Sequence, residues 1–277
     1  TRASITASLL GASAHLEGSR RLGPNAYNKF RYLIGARYKT NAYLLGSADI
    51  KGEYVPNFTD IQAYLSYDIS KTLQLSLIGN YNGSNYNFKP SSGKSKKGTI
   101  DFQLELNTQF EGQENDRFKY GMSGVTMTYV PERDHNPLYM KFMASAYRAS
   151  EEEKFDILGN YRLSQIETAL GENTGQEIAV LGTGTQHTYT RNFLYNTIHN
   201  LEYKGGLELG SFPGSKFQKI HFLQWAIKYQ NERFDDQLNE WERIDSAGYS
   251  LPNDENSLIL NRVLKSKNQV SNDRIQL

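Results

Sequence analysis

The chain has 277 residues, with 31 Lys and Arg against 30 Asp and Glu, and no cysteine. The balanced charge excludes the basic excess of a nucleic-acid binder, and the lack of Cys excludes a disulfide scaffold and a thiolate zinc site. Mean hydropathy is −0.64 and no apolar run nears the ~18 residues of a membrane helix. A transmembrane barrel is compatible with both, because its strands alternate lipid-facing and lumen-facing residues. The 19 Tyr, 13 Phe and 23 Gly beside 7 Pro suit pleated surfaces and membrane interfaces. The chain opens on Thr1 with no charged n-region and apolar h-region, and stops abruptly after Leu277. It reads as an internal piece of a longer protein.

Period-2 alternation dominates the chain. After a weak stretch over 2–17, Phe30, Tyr32, Ile34, Ala36 and Tyr38 alternate with Lys29, Arg31, Leu33, Gly35, Arg37 and Lys39. Ile61, Ala63, Leu65 and Tyr67 form the next apolar set, then Leu73, Leu75, Leu77, Gly79 and Tyr81. The cleanest case is Ile100 to Glu111, where Ile100, Phe102, Leu104, Leu106, Thr108 and Phe110 oppose Asp101, Gln103, Glu105, Asn107, Gln109 and Glu111. A strand separates these two sets, whereas a helix would mix them. On this parity Phe102, Leu104 and Leu106 face lipid. Leu138 to Ala146 and Phe155 to Tyr161 alternate likewise, with weaker strands over 117–130, 187–204, 217–230 and 257–270.

Short polar links at 68–72, 111–117 and 148–154 alternate with longer ones at 40–60, 83–98, 131–137, 163–186 and 231–256. That rhythm predicts periplasmic turns and extracellular loops; the links at 18–27 and 205–216 fit it less neatly. Tyr38, Tyr67, Tyr81, Phe110, Tyr129, Tyr147, Phe155 and Tyr161 fall near strand ends, as an aromatic girdle requires. The pattern gives about eleven strands. An odd number cannot close a barrel in the usual way, and it is half of the ~22 of the plugged transporters. A soluble sandwich also alternates, so an all-β carbohydrate-binding module remains the alternative, with a small passive porin third.

Tyr54-Val55-Pro56-Asn57-Phe58-Thr59-Asp60-Ile61-Gln62-Ala63-Tyr64-Leu65-Ser66-Tyr67-Asp68-Ile69-Ser70, Leu73 to Tyr81, Tyr86 to Pro90, Phe110-Glu111-Gly112-Gln113-Glu114, Phe155 to Tyr161 and Leu238 to Pro252 resemble the barrel of TonB-dependent outer-membrane receptors. The closest branch carries a carboxypeptidase-regulatory-like domain ahead of its plug. The likeness covers most of the chain through scattered barrel motifs. It implies that residues 1–277 are a partial barrel domain, about half of a 22-stranded barrel, with plug, energy-coupling box and remaining strands absent. The implied function is import of a bulky, scarce nutrient across the bacterial outer membrane. The implied partners are membrane lipid, the plug, the TonB complex and a surface lipoprotein.

No catalytic constellation emerges, neither a G-x-S-x-G elbow nor an H-E-x-x-H helix, and no enzyme activity or cofactor is expected. His15, His135, His187, His199 and His221 are scattered without i,i+4 pairs, so no metal site is expected. In the loop Asp235-Asp236-Gln237-Leu238-Asn239-Glu240-Trp241-Glu242-Arg243, the residues Asp235, Asp236, Glu240 and Trp241 could bind Ca²⁺ or a ring-bearing ligand. The competing reading is a short amphipathic helical turn that packs Leu238 and Trp241. Arg20-Arg21 and Lys94-Ser95-Lys96-Lys97 read as solvated loop charges, the latter a fit for anionic lipopolysaccharide. Arg31, Arg37, Asp101, Gln103, Glu105, Lys141 and Arg162 form a mixed lumen lining, expected to meet the plug because unpaired lumen polar groups are costly.

Overall fold

The computed structural model describes residues 1–40, 52–54, 56–133, 136–210, 221–245 and 260–277, with the backbone alone for 52–54. They form strands β1 (Arg2–Ser8), β2 (Gly11–Arg21), β3 (Lys29–Thr40), β4 (Gly52–Tyr54), β5 (Asn57–Asp68), β6 (Leu73–Pro90), β7 (Gly93–Gly98), β8 (Gln103–Tyr129), β9 (Leu138–Ile166), β10 (Glu177–Leu209), β11 (His221–Asp245) and β12 (Arg262–Gln276). All belong to one antiparallel sheet in which ten strands lie side by side in chain order, with β4 attached to β6 and β7 to β8. Its two end strands, β1 and β12, do not pair with each other, so the sheet is open. Among the described residues there is no helix and no second sheet to make a sandwich.

The alternation predicts the strands but misplaces several ends. The stretch 2–17 is a hairpin, broken at Leu9-Leu10 where Gly11 takes φ 141°. The links at 111–117 and 148–154 are not turns. They lie inside β8 and β9, strands of 27 and 29 residues, in a continuous ladder from Glu111↔Leu158 to Gly121↔Arg148. Their side chains are polar on both faces, which erases the period-2 signal and imitates turn composition. The links at 83–98, 163–186 and 231–256 are mostly strand as well: β6 continues to Pro90, the loop after β9 shrinks to 167–176, and β11 runs to Asp245. The link 131–137 lies at the same end as the 69–72 turn, because Val130 N–H donates to the Thr72 carbonyl at 2.8 Å. Residues 41–51, 211–220 and 246–259, which hold parts of the predicted links 40–60, 205–216 and 231–256 and the starts of the predicted strands 217–230 and 257–270, lie outside the described residues, as does His135. Ten strands on the main path with β4 and β7 beside them agree with the expected count of about eleven, and among the described residues the sheet is open because its end strands do not pair.

Register sorts the side chains into two faces, because residues directly opposite in antiparallel strands point the same way. One face carries a belt: Ile5, Leu16, Phe30 to Tyr38 in steps of two, Ile61 to Tyr67, Leu73 to Tyr81, Val125, Met127, Tyr129, Phe142, Ala144, Leu201, Tyr203, Trp225, Ile227 and Tyr229. We call this the belt face and the other the counter face. The belt is apolar yet open: Phe142 and Leu201 are each 58% exposed and Leu77 46%. On the counter face at the same level sit Asp60, Ser66, Ser76 and Asn82, all buried, with Leu33, Tyr64, Ile78, Met122, Met143, Tyr147 and Ile198 among the apolar exceptions. A water-soluble sheet has the reverse distribution. The belt is about nine residues deep, ~30 Å along a strand at ~3.3 Å per residue. Rings mark its borders, with Phe30, Tyr67, Tyr129 and Trp225 at one and Tyr38, Tyr81 and Tyr229 at the other.

The belt runs obliquely to the rows of paired residues. Tyr38, at its edge on β3, shares a row with Thr59, Gly83 and Lys119. On β8 the belt begins only at Val125, six residues beyond Lys119, level with Leu201, Tyr229 and Ile275.

Candidate functional site

The expected lining separates into two groups. Arg31, Arg37 and Lys141 lie on the counter face, behind the belt. Gln103, Glu105 and Arg162 lie on the belt face, far past its edge, and Asp101 precedes β8. Leu104, Leu106 and Phe110 are correspondingly on the counter face, opposite in parity to Val125 and Met127 of the same strand. So are Tyr147, Phe155 and Tyr161, which leaves Tyr38, Tyr67, Tyr81 and Tyr129 as the girdle members on the belt face. The cause is the continuity of β8 and β9. Parity is carried through the polar stretches where a turn would have reset it.

Behind the belt, polar groups are held in short networks. Both guanidinium nitrogens of Arg31 donate to Asp68, at 2.9 and 2.7 Å, and Gln74 Nε2 donates to the same carboxylate at 2.8 Å. Arg37 reaches the buried Asp60 at 3.2 Å, and Tyr64 donates to Ser76 at 3.3 Å. Lys141 faces Thr128 on one side and Lys204 on the other. The amide oxygens of Asn80, Asn196 and Asn200, all counter-face residues, are buried and meet no donor among the described residues. Each would be satisfied by a donor from outside the sheet.

Past the belt, the counter face changes character. Phe88, Phe110, Phe155, Ile157 and Tyr161 line an open cleft of about 470 Å³ with Ser91, Thr108, Gln186 and Thr188 as its polar members. Phe110 and Tyr161 meet edge to face at 5.9 Å. Beside the cleft, Glu114 and Asp116 lie close to Glu153. Burial, then repulsion from Asp116, pushes Glu114 up to about 7. Asp116 is raised by burial too, against the pull of the Lys154 N–H, which donates to it at 3.3 Å.

Asp235, Asp236, Glu240 and Trp241 lie in β11, not in a loop or a helical turn. Parity sends Asp235 and Trp241 to the belt face and Asp236 and Glu240 to the counter face, so the four do not converge. Asp235 is engaged by Arg233 at 3.1 Å, Asp236 by Asn268 at 3.4 Å, and Glu240 by Asn192 at 2.7 Å and Arg262 at 3.4 Å. Trp241 stacks on Tyr189 at 5.1 Å and meets His187 edge-on at 4.7 Å. Arg191 lies 4.4 Å over the Tyr189 ring, and Asp156 binds both His187, at 2.9 Å, and Arg191, at 3.2 Å. This is a cross-strand clamp whose groups partner one another. The i, i+2 spacing of His187, Tyr189 and Arg191 carries the signal for it once the strand is known to continue.

The Lys94 run is strand β7, not a free loop. Lys94 and Lys96 grip Glu105 at 2.9 and 3.5 Å and hold it below the usual carboxylate range. Nearby Arg162 forks onto Glu177, and Ser164 donates to the same carboxylate at 2.6 Å. These bonds hold Glu177 down to about 2. In comparisons with known proteins, the chain matches no protein-family model, no curated protein and no solved structure.

Proposed function

We propose that the chain is part of the wall of an outer-membrane transporter of the TonB-dependent type. The belt would sit in hydrocarbon and the counter face would line the lumen. The observation that carries this reading is the inverted distribution of side chains, with Phe142, Leu77 and Leu201 open while Asp60, Ser66 and Ser76 are buried. The belt's depth fits a strand tilted across a hydrocarbon core of ~30 Å. In this reading Arg31, Arg37 and Lys141 line the lumen, and the amide oxygens of Asn80, Asn196 and Asn200 take donors from a plug or from water. β8 to β11 would project beyond the bilayer and carry the aromatic cleft on their lumen side, where a bulky ligand is collected. Import would draw on the TonB complex through parts outside this chain.

The two tryptophans test the membrane reading. Trp225 lies in the belt, and Trp241 lies on the same face sixteen residues further along β11. In bilayers with brominated acyl chains, a Trp241→Phe chain should lose most of its fluorescence and a Trp225→Phe chain should keep it. Equal quenching of the two, or none, overturns the reading. Transport is tested separately, by uptake of a limiting nutrient that stops when the inner-membrane proton gradient is collapsed.

A further inference from the structure

Three cations stand on the belt face just beyond the belt's edge. Arg148 of β9 is two residues past Ala146, and Lys119 and Arg117 follow Val125 on β8 with only Ser123 and Gly121 between on that face. Arg148 lies opposite Gly121, Lys119 opposite Ser150 and Arg117 opposite Glu152, so the three occupy adjacent rows. Arg148 and Lys119 are exposed, and among the described residues neither has a carboxylate within ion-pair distance. Arg117 donates to Asn85 at 3.3 Å, and Glu152, the carboxylate across from it, is bonded to Lys154 at 3.0 Å and feels the charge of Arg117 and Lys119 without forming an ion pair with either. Gly121 leaves open ground beside Arg148, since a Cβ there would find nothing nearer than the Asn80 carbonyl at 3.7 Å. The exposed Tyr195 ring borders the patch across Ser150.

Long cationic side chains at the edge of an apolar surface keep their stems on it and present their heads at headgroup depth. An Arg fork matches phosphate oxygens, and each unpaired cation at an anionic membrane surface strengthens attraction severalfold. We propose that Arg117, Lys119 and Arg148 bind the phosphate of an acidic membrane lipid in the leaflet that meets this edge. The proposal rests on the membrane reading above. It places a bound lipid on the outer wall, away from the lumen.

The test uses the chain in phosphatidylcholine bilayers containing a minority of phosphatidylglycerol, with spin-labelled forms of each lipid reporting the shell held by the protein. The chain should select phosphatidylglycerol at low salt. Each cation neutralised among Arg117→Gln, Lys119→Gln and Arg148→Gln should weaken that selection, by up to about fivefold. Lys89→Gln, an exposed cation on the same face but far past the edge, should change nothing. Quenching of Trp225 by brominated lipid in every variant shows that insertion is intact. Trp225 quenched with no phosphatidylglycerol preference overturns the lipid site alone. Unquenched Trp225 overturns the membrane reading, and the lipid site with it. Displacement of the spin-labelled lipid by inorganic phosphate would identify a soluble phosphate as the occupant and refute the lipid.

Discussion

Glu114 and Glu177 are carboxylates of one sheet with opposite electrostatic settings. Glu114 is raised by burial and by Asp116 to about 7, so its protonated form favours the fold. Its contribution to stability is full below the ordinary carboxylate range, near 4.5, and is lost as pH rises through about 7. Unfolding of the Trp225→Phe chain, followed at Trp241 two strands from Glu114's partner Phe155, should be easier at pH 8 than at pH 5. Glu114→Gln should flatten that difference, and an unchanged profile would refute the assignment. Glu177 works the other way: Arg162 and Ser164 lower it to about 2, so its contribution is present above 4.5 and fades only as pH falls toward 2. Exposure screens that pair, so its effect is small. At Gly205 the constraint is steric, because a Cβ would run into the Trp225 ring. Gly205→Ala should displace that ring and cost about 1–3 kcal/mol, as overpacking does, measured by unfolding together with the shift in Trp225 emission.

Along single elements the decisive fact is that β8 and β9 carry their apolar residues on one face for part of their length and on the other for the rest. Val125 and Met127 share the belt face, whereas Leu104, Leu106 and Phe110 point the opposite way. Leu77→Arg, in mid-belt, should therefore cost ~2–4 kcal/mol in bilayer unfolding and Leu106→Arg ~0–1; equal costs would contradict the face assignment. The continuity of β9 also fixes sidedness. Single cysteines at Ser92 and Ser150 should react with an impermeant thiol reagent from the same side of the membrane, and Ser70→Cys from the other. Reaction of Ser150→Cys together with Ser70→Cys would restore a turn at 148–154. The sequence was legible wherever one face was apolar, as in β3, β5 and β6. It was not legible where both faces were polar, since Glu111-Gly112-Gln113-Glu114 has the same composition whether it turns or stays in a solvated ladder. Gly112 deepens the ambiguity: it adopts φ 95°, as a turn glycine would, yet still pairs with Ile157. The convergence expected of Asp235, Asp236, Glu240 and Trp241 failed for the same reason. A loop would let them gather, and a strand sends alternate members to opposite faces.

At the scale of the whole molecule the open sheet leaves β1, exposed along its length, and β12 each with an unpaired edge. Backbone groups unpaired in hydrocarbon cost several kcal/mol each, and exposed edges pair between molecules. Refolded alone into detergent or lipid, the 277-residue chain should insert as edge-paired assemblies, with Trp225 in the apolar phase, rather than run as a monodisperse monomer with the heat-modifiable gel shift of a closed barrel. Such a monomer would show that the two edges can meet. The oblique belt has a consequence of its own. A path that follows the paired rows from β3 to β8 climbs relative to the belt, as a screw thread climbs its shaft. The ladder therefore has a pitch, and any complete ring built on it must return to its starting strand displaced along the axis. A one-residue insertion low in β9 would exchange the two faces for the rest of that strand unless a bulge absorbed it. A two-residue insertion would keep the faces and alter only the lead of the thread.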